Sequence, residues 1–117
     1  MQKKIFFSQF WLIQIFVSFF LIQSVKATFL ENGKDLFLAN CSICHLNGNN
    51  IIIPEKNLKK DALEANGMST IDAISYQILN GKNGMPAFGG RLKELEIEAI
   101  AKYVLQESLE NFKSEKN

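Results

Sequence analysis

Apolar and polar positions change their rhythm several times along the chain, and each change predicts an element. From Ile5 to Val25 no charge interrupts a long apolar run, which follows a short basic head carrying Lys3 and Lys4. From Thr28 to Asn40 the pattern becomes amphipathic. Phe29, Leu36, Phe37 and Ala39 are apolar, with Glu31, Lys34 and Asp35 between them, which predicts a first helix. Gly33 lies on the Phe37 side, where it is either a point of close helix crossing or an indifferent surface glycine. After a loop rich in Asn and Gly, Ile51, Ile52 and Ile53 run into Pro54. Three β-branched residues suggest a strand, but no second strand exists to pair with them, so an extended wall is expected. Glu55 to Ala65 predicts one or two short helical turns with Leu58, Ala62 and Leu63 inward, stopped at Asn66-Gly67.

The second half of the chain is clearer. Ser69 is expected to cap a helix, with Asp72 three residues on. Ile71, Ile74 and Ile78 make its inner stripe, and Asn80-Gly81 closes it. Asn80 to Gly90 reads as a glycine-rich loop around Met85-Pro86. Leu92 to Phe112 is expected to be the longest helix, with Ile97, Ile100, Ala101 and Val104 inward and Leu105 and Leu109 beside them. Its Tyr103 and Phe112 are candidates for contact with the first helix or with a bound prosthetic group. Residues 113–117 form a charged tail expected to fray. No repeat, linker or second domain interrupts this order, so the fold class is all-α, with four to five helices.

The first 27 residues are expected not to belong to the domain. They hold six of the ten Phe and the only Trp, and they end in Val25-Lys26-Ala27, with small residues where a signal peptidase reads. The expectation is an export signal over residues 1–27, cleaved after Ala27, and a single domain over residues 28–117. An uncleaved membrane anchor is the alternative, since the run approaches spanning length. Ser8, Gln9, Gln14, Ser18 and Gln23 dilute it. Cleavage removes Lys3, Lys4 and Lys26. That leaves ten Lys and Arg against all twelve Asp and Glu, so the formal net charge moves from +1 to −2. Such a balance excludes a nucleic-acid-binding class, which needs a basic face. About 90 residues is a small basis for a core, and a bound apolar group would enlarge it.

The chemistry concentrates at Cys41-Ser42-Ile43-Cys44-His45, the attachment pattern of a c-type haem. Two thiols three residues apart on a helical turn point the same way and can bond two vinyl groups on one porphyrin edge. The His that follows can ligate the iron from the proximal side. These are the only two cysteines and the only histidine of the chain. Three other readings compete. A Cys41–Cys44 disulfide would close a very small loop. A thioredoxin-like pair wants a preceding strand. A zinc site wants about four N or S ligands, and only three such residues exist.

A haem iron held by His45 leaves a sixth position. Met85 sits on a glycine loop rather than in a core, far enough along the chain to reach the other face, and a soft thioether suits iron. Met68 competes, but a helix start follows it at once. With both axial positions filled by protein, a peroxidase or gas sensor is disfavoured and one-electron exchange is expected, without enzymatic activity. The isoleucine run is then expected to lie against the porphyrin.

With both motifs placed, the chain resembles the cytochrome c6 family of class I c-type cytochromes across most of residues 28–117. The resemblance rests on Gly33 and Phe37, Cys41 to His45, Gly48-Asn49-Asn50 and Pro54-Glu55-Lys56. It continues through Leu58 to Leu63, Tyr76-Gln77, Asn80-Gly81-Lys82, Met85 to Leu92 and Tyr103-Val104. It implies a small cytochrome c fold wrapped around one covalently bound haem c. The implied thioethers are at Cys41 and Cys44, and the implied axial ligands are His45 and Met85. Gln77 matches a glutamine near the haem that helps hold the potential high, and Arg91 matches an arginine associated with docking at photosystem I. The implied role is a soluble, monomeric electron carrier in the thylakoid lumen of a plastid or cyanobacterium. Its donor would be cytochrome f of the cytochrome b6f complex and its acceptor photosystem I. The leader lacks a Ser- and Arg-rich transit segment, which suits one-step export. Two positions depart from the family pattern: Lys93 stands where a polar helix cap is usual, and Phe112 where a tryptophan is common.

Overall fold

The structure is a computed structural model. It describes the backbone of residues 2–113 and, within the first helix, the side-chain surroundings of residues 9–19 and of those from 32 onward. Among the described residues there are five α-helices and no named strand. They are α1 (Gln2–Asn40), α2 (Ser42–His45), α3 (Lys60–Ala65), α4 (Ile71–Asn80) and α5 (Glu94–Leu109). Short 3₁₀ turns at Leu46–Gly48 and Pro54–Lys56 carry the chain between α2 and α3. The all-α expectation holds. The tail beyond residue 113 and the side chain of Phe29 lie outside the described residues.

The first helix is longer than the pattern predicts. The leader and the helix expected at 28–40 form one continuous element of 39 residues. No proline lies between Gln2 and Asn40, and Gly33 is its only glycine, so nothing in the backbone stops the helix at Ala27. No helix among the described residues is long and apolar enough to cross a membrane. The helix predicted at 92–112 is therefore only the second longest, and α5 begins two residues later than expected. Lys93 is its cap residue, with extended φ/ψ, and its N–H donates to the Glu96 carboxylate at 2.8 Å. A lysine ammonium has no lone pair to return the favour, so only the Glu96 half of a capping box operates.

The core is the crossing of α1 and α5. A Cβ built on Gly33 would lie 2.3 Å from the Ala99 carbonyl oxygen and 3.1 Å from the Tyr103 Cβ, so the two backbones approach as closely as glycine permits. Gly33 is thus the crossing point. One turn further on, Phe37 is only 1% exposed, and its ring centroid lies 5.3 Å from that of Tyr103 and 5.9 Å from that of Phe112. Burying such a ring stabilises by about 1.5–3 kcal/mol. Phe112 reaches this cluster because Asn111 and Phe112 both adopt left-handed backbone, with φ of 53° and 56°. That ends α5 and folds the ring inward onto Gly48, where an added Cβ would meet it at 2.4 Å. Ile97, Ile100, Ala101 and Val104 are buried as the stripe predicts, whereas Leu109 is exposed.

Helix α4 packs Ile74 and Ile78 against α5, with Ile71 half-buried at its start. Its cap is Thr70, not Ser69: the Thr70 Oγ1 accepts the Ala73 N–H at 3.2 Å. Gly81 ends α4 at φ 68° and returns its N–H to the Gln77 carbonyl at 2.7 Å. Its Cβ would strike the Met85–Ala87 backbone, so the turn that brings the methionine loop back over α4 needs glycine here.

Candidate functional site

A single cleft gathers nearly every residue to which the sequence assigns chemistry. Cys41, Cys44, His45, Met68 and Met85 all line it, together with the apolar Phe37, Ile74, Ile78, Ile100 and Val104. Its cavity volume is about 210 Å³, and it opens to solvent.

The thiol wall follows from the way α1 ends. The Cys41 N–H donates to the Phe37 carbonyl at 2.8 Å, so Cys41 continues the α1 ladder and inherits its anchorage in the core. The Cys41 carbonyl then accepts from both Cys44 (3.1 Å) and His45 (2.9 Å), closing the turn that carries all three side chains. Both cysteines are free thiols, which gives the disulfide reading no support. Burial, and secondarily the neighbouring Cys44, push the Cys41 thiol up to about 11. Among the described residues no three His, Cys, Asp or Glu side chains gather as a metal site of their own, so zinc gains nothing either.

His45 is held by one decisive bond. Its Nδ1 lies 2.8 Å from the Asn49 carbonyl oxygen. A carbonyl only accepts, so Nδ1 carries a proton, and in the neutral ring the Nε2 lone pair is left for a metal. The sequence pattern includes Asn49 and Asn50 in the resemblance but assigns neither a role. The Asn50 Oδ1 accepts the N–H groups of Ile52 (3.0 Å) and Ile53 (2.9 Å), while its Nδ2 donates to the Lys56 carbonyl at 2.9 Å. One amide thereby curls the isoleucine run, so that Ile52 and Ile53 line the cleft and Ile51 does not. Crowding of Asn and Gly after the histidine was the available signal.

Met85, also in the lining, is half-buried, and the Gln77 Nε2 donates to its Sδ at 3.6 Å. Its backbone is pinned by a two-residue hairpin: the Lys82 N–H donates to the Met85 carbonyl and the Met85 N–H to the Lys82 carbonyl, each at 3.0 Å. Met68 lines the same cleft, brought there when its N–H returns to the Leu63 carbonyl at 2.8 Å. Placement alone thus admits both methionines, and only Met85 has a polar partner at its sulfur. Arg91 stands outside the cleft, with its guanidinium 4.5 Å from the centroid of Phe88, which lines it.

Paired thiols on one turn, an imidazole with Nε2 spare, a thioether in the same cleft and an apolar interior are the donor set and surroundings that a covalently bound haem requires. A family model described as cytochrome c oxidase, cbb3-type, subunit III, matches residues 29–104. The cytochrome c6 of Bumilleriopsis filiformis is 63% identical over 79 residues, spanning 68% of this chain and 92% of that relative. The chain belongs to the cytochrome c6 family. The cytochrome c6 of Pyropia yezoensis is 58% identical over 94 residues, covering 78% of this chain and 86% of its own. The crystal structure of cytochrome c6 from the diatom Phaeodactylum tricornutum superposes with a TM-score of 0.68 at 45% identity, covering 70% of this chain and 97% of that one. The fold is that of a class I cytochrome c. Membership in the cytochrome c6 family makes the chain a c-type cytochrome, an electron carrier with one covalently bound haem c and its iron.

Proposed function

We propose that this cytochrome c6 carries single electrons from cytochrome f of the cytochrome b6f complex to photosystem I. Cys41 and Cys44 hold the haem as thioethers, and His45 and Met85 are its axial ligands. The observation that carries this reading is the meeting of both thiols, the oriented imidazole and the Gln77-bound thioether on the walls of one cleft. When bound, the haem iron supplies one-electron exchange between its ferric and ferrous states. The chain supplies the rest. The Asn49 carbonyl keeps the Nε2 of His45 directed by holding Nδ1, which also raises the basicity of the ligand. Gln77 and the Lys82–Met85 hairpin fix Met85, and methionine as sixth ligand favours the reduced state. The apolar interior keeps water out and penalises the more highly charged oxidised state. With His45 and Met85 both holding the iron, substrate would have no place on the metal.

At the mouth, Ile43 (84% exposed), Ile52 and Pro86 are exposed apolar side chains beside Lys56, Lys82 and Asn83. A small apolar patch with a few charges suits brief redox encounters, which bury less than about 1,200 Å² in total. The match to an oxidase-subunit model favours one second reading, donation to a respiratory terminal oxidase.

Residues 1–27 act as an export signal removed after Ala27, which delivers the domain to the thylakoid lumen. Phe10, Trp11 and Phe16 stand exposed along the outer part of α1, a surface that a mature carrier in water would not retain. Intact mass and amino-terminal sequencing of the exported protein should begin at Thr28.

The optical spectrum of the haem-loaded protein tests the ligand set. The alkaline pyridine spectrum should be that of a haem with two thioether links. The oxidised protein should show the weak near-red band of methionine on ferric iron, and Met85→Ala should abolish it. A band that survives Met85→Ala and disappears in Met68→Ala would transfer the role to Met68. Flash-induced transfer to photosystem I, compared with turnover by an oxidase, separates the two partner readings.

A further inference from the structure

Five Asn-Gly pairs occur in the chain, at residues 32–33, 47–48, 66–67, 80–81 and 83–84. This dipeptide is prone to spontaneous rearrangement, because glycine offers no side chain to shield its nitrogen. Attack needs two free groups, the Asn side-chain amide and the Gly N–H. The structure distinguishes the five pairs on that criterion. Gly33 is inside α1, beneath Ala99. Gly48 is buried against the Phe112 ring, and its Asn47 has an interaction of its own. The Asn66 Nδ2 donates to the Ala62 carbonyl at 2.8 Å, and the Gly67 N–H to the Glu64 carbonyl at 3.2 Å. The Asn80 Nδ2 donates to the Tyr76 carbonyl at 2.8 Å, and the Gly81 N–H to the Gln77 carbonyl at 2.7 Å. Asn83 differs. Among the described residues neither its side chain nor the Gly84 N–H makes a hydrogen bond, and both residues are exposed. Asn83 is also held at φ 53°, in the left-handed region that asparagine tolerates in tight turns.

We propose that Asn83 is a spontaneous modification site, and that its conversion releases Met85. The second clause rests on Met85 being the sixth ligand. The Gly84 nitrogen attacks the Asn83 Cγ. An N–C bond forms, the C–N bond to the amide group breaks, ammonia leaves with the displaced proton, and a succinimide remains. Water then opens the ring on either side, giving aspartate or isoaspartate. No electrons change hands. Isoaspartate routes the backbone through Cβ and adds a carbon to the two-residue hairpin. The paired bonds between Lys82 and Met85, each 3.0 Å, no longer fit that lengthened loop, and the methionine backbone loses its pin.

The test is to age the haem-loaded protein in mildly alkaline buffer and to follow each pair by peptide mapping, with isoaspartate resolved from aspartate. Asn66 and Asn80 must each first give up two ordinary hydrogen bonds, which slows attack by roughly 10–100-fold relative to Asn83. The near-red band of the oxidised protein should fall in step with isoaspartate at residue 83, and Asn83→Asp, which keeps the backbone unlengthened, should retain the band. The site assignment fails if Asn66 or Asn80 converts as fast as Asn83. The release of Met85 fails if material fully converted to isoaspartate keeps its band. A fresh sample without the band speaks against Met85 as ligand, and the mapping still decides the order of the sites.

Discussion

Gly33→Ala is the most incisive perturbation of this fold, because two effects of opposite sign act on it and the geometry decides between them. By helix propensity alone, alanine for glycine inside a helix should stabilise by about 1 kcal/mol. At Gly33 the new methyl would lie 2.3 Å from the Ala99 carbonyl oxygen, 2.9 Å from the Ala99 carbonyl carbon and 3.1 Å from the Tyr103 Cβ. The first two are backbone of α5, so no side chain can rotate away and the helices themselves must separate. Overpacking of this kind costs about 1–3 kcal/mol, and a clash with backbone belongs at the upper end. Subtracting the propensity gain leaves a destabilisation of about 2 kcal/mol. For a domain of this size that is a fall in Tm of about 8–16 °C. Gly90→Ala is the control, since nothing lies within 4 Å of an added Cβ there, and it should stay within about 0.5 kcal/mol of the parent. Thermal unfolding of the haem-loaded protein, followed by far-UV circular dichroism, reads both. A Gly33→Ala protein as stable as Gly90→Ala would falsify the close-crossing account of α1 and α5.

Phe112→Ala should cost about 3–5 kcal/mol in denaturant unfolding, because a fully buried ring leaves a cavity between Phe37, Tyr103 and Gly48; a loss below 1 kcal/mol would show that the site collapses freely. Thr70→Ala should destabilise by about 0.5–2 kcal/mol while Ser69→Ala stays near neutral, and the reverse order would return the cap of α4 to Ser69. In the haem-free chain at mildly alkaline pH, iodoacetamide should modify the half-exposed Cys44 before the buried Cys41, as read by peptide mapping, and equal labelling would contradict the raised Cys41 value. The linkage has a definite sign: the folded chain holds the Cys41 proton more tightly than the unfolded one, so this contribution to stability is complete below pH 9.0 and is lost as pH rises through about 11.

Much of this was legible before any coordinates, and the misses have identifiable causes. Ile74 and Ile78, and Ile97 to Val104, are set by helical period, and burial follows it. Gly33 was ambiguous because its meaning depends on Ala99, a residue far along the chain. The cap of α4 slipped by one because Ser69 and Thr70 both carry a suitable oxygen, and only backbone direction chooses between them. The leader runs on into α1 because no proline or glycine stands between Gln2 and Asn32 to interrupt helical hydrogen bonding. That Met68 also reaches the cleft depends on a tertiary return to Leu63, to which local pattern is blind. The role of Asn49 was invisible because a carbonyl, not a side chain, holds His45.

Among the described residues, Phe112 is the last along the chain to join the core. Its partners are Phe37 and Gly48, on either side of the two thiols, and it is made long after them. A chain made amino end first therefore exposes Cys41 before the ring that packs behind it exists. The order of synthesis leaves that thiol an interval of access that the finished fold, which buries it, no longer offers.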